Sequence, residues 1–305
     1  MRHDSRRRRE SAIRRPGAPA RACPPRLRLS RCARRICGEL LCATLLSVCA
    51  PAAHAQFVQR LFEPTDMELE DPGTAEIDMQ IGPVRGEDEG RFSLPDFEVD
   101  LGLTRHIELD IDGEYAIGGG RTSLFALSGP APDNLWTALK FDMPLGAVSD
   151  GYTLTAGLQV GPKFPIAPNA AGVGFQGLAL LGLDTSWGAT FVLNFGGLVD
   201  PHEDANTPRP QGLLTGIDVA LPINDDWTVN AGLAGATYFS PDPAQFDTSA
   251  GIAYEVFDDG DRCAVWHFCA LEVSLTGVYG WLHGGDQYGV LLGFSPKFKF
   301  WDGGP

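Results

Sequence analysis

In the run HIELDIDGEY (His106–Tyr115), acids stand on every second position, at Glu108, Asp110, Asp112 and Glu114. Ile107, Leu109, Ile111 and Tyr115 are apolar residues on the opposite set of positions. A period of two predicts a β-strand with one wet face and one apolar face. The pattern returns along the chain. GYTLTAGLQVG sets Tyr152, Leu154, Ala156, Leu158 and Val160 against Thr153, Thr155, Gly157, Gln159 and Gly161. WGATFVLNFGG sets Trp187, Ala189, Phe191, Leu193 and Phe195 against Gly188, Thr190, Val192, Asn194 and Gly196. From Ala75 onward twelve alternating runs are separated by Gly, Pro, Asp and Asn clusters: about 75–83, 95–103, 106–117, 134–142, 151–161, 172–183, 187–197, 211–221, 227–237, 247–256, 270–281 and 287–300. No window carries a helical period, and 37 glycines with 23 prolines oppose long helices.

Two architectures alternate in this way. A soluble β-sandwich turns its apolar faces onto a core. A membrane barrel turns them onto lipid and encloses the polar faces. The run lengths favour the barrel, because a tilted strand crosses the bilayer in about 9–11 residues and only a closed sheet pairs every backbone group in lipid. Tyr115, Trp187, Trp227, Tyr238, Tyr279, Trp281 and Trp301 fall near run ends, as interfacial girdles do. With the amino end periplasmic, the links on that side include the short Thr104-Arg105, 184–186 and 222–226. Links on the other side are mostly longer, the asymmetry of outer-membrane barrels. Two periplasmic links, 143–150 and 257–269, are longer than this rule expects. The expected fold class is all-β, an antiparallel up-and-down transmembrane β-barrel of about 12 strands. The acids then face a lumen.

Charge divides the chain. Of 24 Lys and Arg, 13 arginines lie in residues 1–55, with three of the 39 acids; the remaining 11 basic and 36 acidic residues give 56–305 a net charge of −25. So acidic a body excludes nucleic acid as a partner. The basic start runs into LLCATLLSVCAPAAHA (Leu40–Ala55), an apolar core followed by a small-x-small site. Together these read as a cleaved signal sequence over 1–55, with an unusually long basic start, and hence signal-directed export. Residues 56–74 are acidic and aperiodic and read as a flexible periplasmic leader; 75–305 form the barrel. Five of seven cysteines lie in the signal. Cys263 and Cys269 remain. Within one strand they would stand roughly 20 Å apart, so a disulfide needs the chain between them to fold back. Export favours that disulfide over a zinc pair with His267.

The segment LPDFEVDLGLTRHIELDIDGEY (Leu94–Tyr115), two strands about a Thr-Arg turn, resembles a hairpin of the MetA-pathway of phenol degradation family of outer-membrane transporters. LPINDDWTVNAGLAGATYF (Leu221–Phe239) is similar to that family's second short-turn hairpin. The resemblance implies a roughly twelve-stranded barrel that passes small hydrophobic or aromatic compounds across the outer membrane of a Gram-negative bacterium. Its partners would be outer-membrane lipid and lipopolysaccharide, the barrel-assembly machinery and the solute. The family tends to alternate arginines with acids on the inner face, whereas this hairpin is nearly all acidic. An aromatic-acid solute is thereby disfavoured.

The lumen-lining candidates are Glu98, Asp100, Glu108, Asp110, Asp112 and Glu114, with Asp218, Lys140, Lys297 and Lys299. An acidic wall concentrates cations, or simply keeps the interior wet. Lys297 and Lys299 share a face of the last strand, and their pairing with Glu76 or Asp78 in the first would lock the seam if the barrel closes. Calcium chelation by Asp110, Asp112 and Glu114 is disfavoured, because alternate residues of one strand stand about 6.6 Å apart and no EF-hand loop is present. No metal or cofactor is expected. The apolar outer segment holding Leu124, Phe125 and Leu127 reads as a plug folded inward or as loop packing. Inner glycines such as Gly157 and Gly216 either leave a channel open or let a neighbouring segment fill it. There is no G-x-S-x-G elbow, H-E-x-x-H or phosphate-cradling loop, so no enzyme is expected.

Overall fold

The computed structural model describes residues 64–302 apart from 87–89, 120–126, 150, 168–169, 202–210, 240–243, 259–262 and 283–284. Among the described residues the regular elements are strands: β1 (Thr74–Arg85), β2 (Gly90–Thr104), β3 (Ile107–Gly119), β4 (Leu127–Pro132), β5 (Leu135–Ser149), β6 (Tyr152–Phe164), β7 (Gly174–Thr185), β8 (Thr190–Val199), β9 (Gln211–Pro222), β10 (Trp227–Tyr238), β11 (Gln245–Asp258), β12 (His267–Leu282) and β13 (Gly285–Lys299). β4 pairs only with the upper part of β3, through Tyr115↔Pro132, and β5 takes over the same edge at Asp112↔Trp136. The two make one stave interrupted at 133–134. β1 pairs antiparallel with both β2 and β13, which closes twelve staves into a barrel. All twelve runs expected from the alternation are staves, and a soluble sandwich of two facing sheets is ruled out.

The outward side carries the large apolar residues. Leu193, Phe195, Leu233, Leu275 and Val290 are all more than half exposed. So wide an apolar surface is tolerable only against lipid. Rings gather near its borders. Trp227 packs on Tyr254 with centroids 4.6 Å apart, and Phe257 meets Phe268 edge-on at 4.9 Å. Tyr238 departs from the expected girdle. It shares the inner parity of β10 and packs against buried residues of the interior.

Both long periplasmic links shorten. β5 runs on to Ser149, with register slips at Pro144/Gly146 and Ala147/Ser149 that break the alternation without ending the strand. Met143, Leu145 and Val148 remain outward and exposed there. The link 257–269 shrinks to 259–266, because β11 and β12 continue further than their patterns suggest. Trp266 adopts φ 63°, a left-handed turn that bends the chain back. Cys263 and Cys269 thereby come to a Cα separation of 5.3 Å and are joined in a disulfide.

Candidate functional site

Cross-strand register assembles the acids into rows on the inner wall. Asp78 (β1) stands opposite Glu98 (β2), which stands opposite Asp112 (β3). One step toward the periplasmic turns, Lys297 (β13), Glu76, Asp100 and Asp110 follow one another across four staves. The next row holds Gly102, Glu108, Lys140 and Gln159. Like charges directly opposed destabilise a sheet, so this wall needs compensation. Lys140, almost wholly buried, reaches Glu108 at 3.3 Å. Lys297 reaches Glu76 at 3.0 Å. Gln159 Nε2 donates to Asp110 Oδ2 at 2.6 Å, and Ser93 Oγ donates to Glu114. Lys299 instead pairs with Asp302, at 3.4 Å. Asp218 lies apart from the ladder, on β9 across the ring.

Elsewhere the interior holds an apolar cluster among polar residues such as Gln176 and Asn194. Trp136, Leu178, Leu180, Leu198, Leu214 and Ala236 form a buried cluster on inward positions, and Trp136 Nε1 donates to the Gly161 carbonyl at 3.2 Å. Alternation alone did not reveal these leucines. In GFQGLALLGLDT both faces of β7 are apolar, so the run has no readable phase.

Between the acidic wall and the apolar cluster runs the described part of the segment read as a flexible leader. Its chain is aperiodic, as expected, but it is tied to the barrel from inside. Thr65 N donates to Asn194 Oδ1 at 3.1 Å, and Asn194 Nδ2 donates back to the Thr65 carbonyl at 2.9 Å. Asp66 pairs with Lys140 at 2.9 Å, Glu70 with Lys297 at 2.8 Å, and Glu70 N donates to Glu108. Inner glycines admit it. A Cβ at Gly182 would come within 2.7 Å of Met67 Cγ, and one at Gly216 within 2.7 Å of Pro64 Cγ. The segment therefore crosses the lumen as a strap, from β1, β2 and β13 to β8 and β9. Burial, then a hydrogen bond with Glu76, pushes the Glu70 carboxyl up to about 8 despite Lys297.

Asp66, Glu70, Gln159 and Asn194 were missed as site residues. The available signal was indirect: inner-face glycines facing unaccounted space, and an acidic leader next to a barrel with inward lysines. Leu124 and Phe125 lie outside the described residues. Leu127 opens β4, but its side chain is also outside them.

A closed twelve-stave barrel with a lipid-facing apolar surface and a partly acidic interior is an outer-membrane, porin-type β-barrel. Among solved structures, the chain is similar to the COG4313 outer membrane channel from Pseudomonas putida F1, with a TM-score of 0.55 and 10% identity over 78% of this chain and 100% of that one. It is also similar to the NanC porin (TM-score 0.47, 11% identity, 72% of this chain and 98% of that one). A further likeness is to the CymD monoaromatic hydrocarbon channel (TM-score 0.38, 9% identity, 77% and 90%). No family model and no curated protein matches the chain.

Proposed function

We propose that the protein is a passive outer-membrane conduit for a small solute, that its acidic wall favours cations, and that the strap sets its bore. The supporting observation is the ladder of acids enclosed on β1–β3, opposite one another in register and outnumbering the two lysines that reach them. A field of that sign inside a low-dielectric wall concentrates cations and repels anions. Export by the basic signal and assembly by the general barrel machinery belong to this reading, as does kinship with the phenol-degradation transporters. The acidic wall argues for a neutral or cationic solute within that class.

The strap and the apolar cluster favour a second reading, a filled envelope barrel that transports nothing. Single-molecule conductance in planar bilayers separates them. The conduit reading expects small wild-type currents and larger ones when residues 56–70 are deleted. Silence from both proteins, each shown to be folded by its heat-modifiable gel mobility, would leave the filled barrel.

A further inference from the structure

We propose that the ladder holds a divalent cation of the calcium type, bound by Asp100 together with Glu108 and Asp110, with the Gln159 carboxamide at its edge. Carboxylate oxygens of Asp100, Glu108 and Asp110 lie within 4.8 Å of one another, and those of Asp78, Glu98 and Asp100 form a second such group. Asp100 belongs to both. Alternate acids of one strand are too far apart to chelate, but adjacent strands remove that obstacle. The pairing Asp100↔Asp110, with Glu108 one step along β3, brings carboxylates from two staves together.

A group of acids needs no ion merely because it is a group. Gln159 is the independent observation. It is a neutral side chain from β6, two staves away, and it is 0% exposed. Its Nε2 donates to Asp110 Oδ2, which seats the carboxamide beside that carboxylate, yet its Oε1 has no hydrogen-bond partner among the described residues. Buried oxygens Oδ1 of Asp100 and Oδ1 of Asp110 are likewise without a hydrogen-bond partner there. An amide oxygen and two carboxylate oxygens, each buried without a partner, are costly in a closed wall. They are also the donor set of a hard cation, which takes carboxylates and carboxamide oxygens together. Lys140 supplies one positive charge, and it is shared between Glu108 and Asp66. A bound dication removes the repulsion between the opposed acids that this single lysine leaves.

The site needs the folded barrel but not conduction, so it is tested without current. Full-length mature protein in detergent is stripped with EDTA and titrated calorimetrically with CaCl2, beside Asp100→Asn, Gln159→Leu and, as a control on the far wall, Asp184→Asn. Thermal unfolding is recorded with and without calcium. The expected result is saturable wild-type binding in the range of extracellular calcium modules, about 10⁻⁴ to 10⁻³ M. Wild type and Asp184→Asn should melt later with calcium. Asp100→Asn should melt later than wild type in EDTA, because one like-charge contact is gone, and should show no calcium-dependent rise. Gln159→Leu should bind more weakly. Absence of saturable binding by folded wild type up to about 10 mM, tenfold beyond that range, overturns the proposal. So does an equal calcium response in Asp100→Asn, which would assign the binding to other surface acids. Either failure leaves the conduit reading to its own bilayer test.

Discussion

Individual side chains behave oppositely on the two sides of the barrel wall. Lys140 is 5% exposed and neutralises Glu108, whereas its other partner Asp66 is 61% exposed. Removing one partner of a buried pair strands a charge. Lys140→Met is therefore expected to cost about 3–5 kcal/mol in urea unfolding from detergent. Asp66→Asn should cost less than about 1 kcal/mol, as solvated pairs do. Equal effects would contradict the burial assigned to Lys140. One residue from Asn194, Leu193 points the other way and is half exposed. Leu193→Arg places a charge in lipid near mid-strand and is expected to destabilise by about 2–4 kcal/mol in bilayers. An indifferent response there would mean that this face meets water.

At the scale of elements, the strap is the least regular segment, and it carries a pH-sensitive group in Glu70. Glu70 takes its proton at about 8 in the folded protein, against an ordinary 4.5. Between those values the folded state binds a proton that the unfolded state does not. The stability this contributes is complete below 4.5 and is lost as the pH rises through about 8. The melting temperature should accordingly fall with rising pH across that window, and Glu70→Gln should fall less steeply. A variant that tracks the wild type would assign the slope to other acids. The disulfide closes a short loop, with a sequence separation of 6. Cys263→Ser is expected to cost about 2 kcal/mol by denaturant titration. Strands and their facing were legible wherever one face was mainly polar, as in β3 and β6. The facing, though not the strand itself, became illegible past the Pro144/Gly146 bulge, where the backbone re-phases, and in β7, where leucines on both faces erase the period. The strap was illegible for a different reason. Its contacts are with residues far along the chain, 38 positions away for Glu70 with Glu108 and 129 for Thr65 with Asn194, and no local pattern encodes them.

For the whole molecule, the sign of the interior is the feature with the largest consequence. The sequence placed acids on alternate positions of β2 and β3, but only closure and register oppose them, and only β13 meeting β1 brings Lys297 to Glu76. The barrel thus joins an acidic wall, a buried apolar cluster and a strap between them. Replacing Glu98, Asp100 and Asp110 together by their amides should lower the preference for cations while keeping the barrel folded. The most direct measurement is the reversal potential of the purified protein in a planar bilayer under a KCl gradient. The account predicts a current carried mainly by K⁺, enlarged without loss of sign when residues 56–70 are removed. A current carried mainly by Cl⁻ through the folded barrel would contradict it.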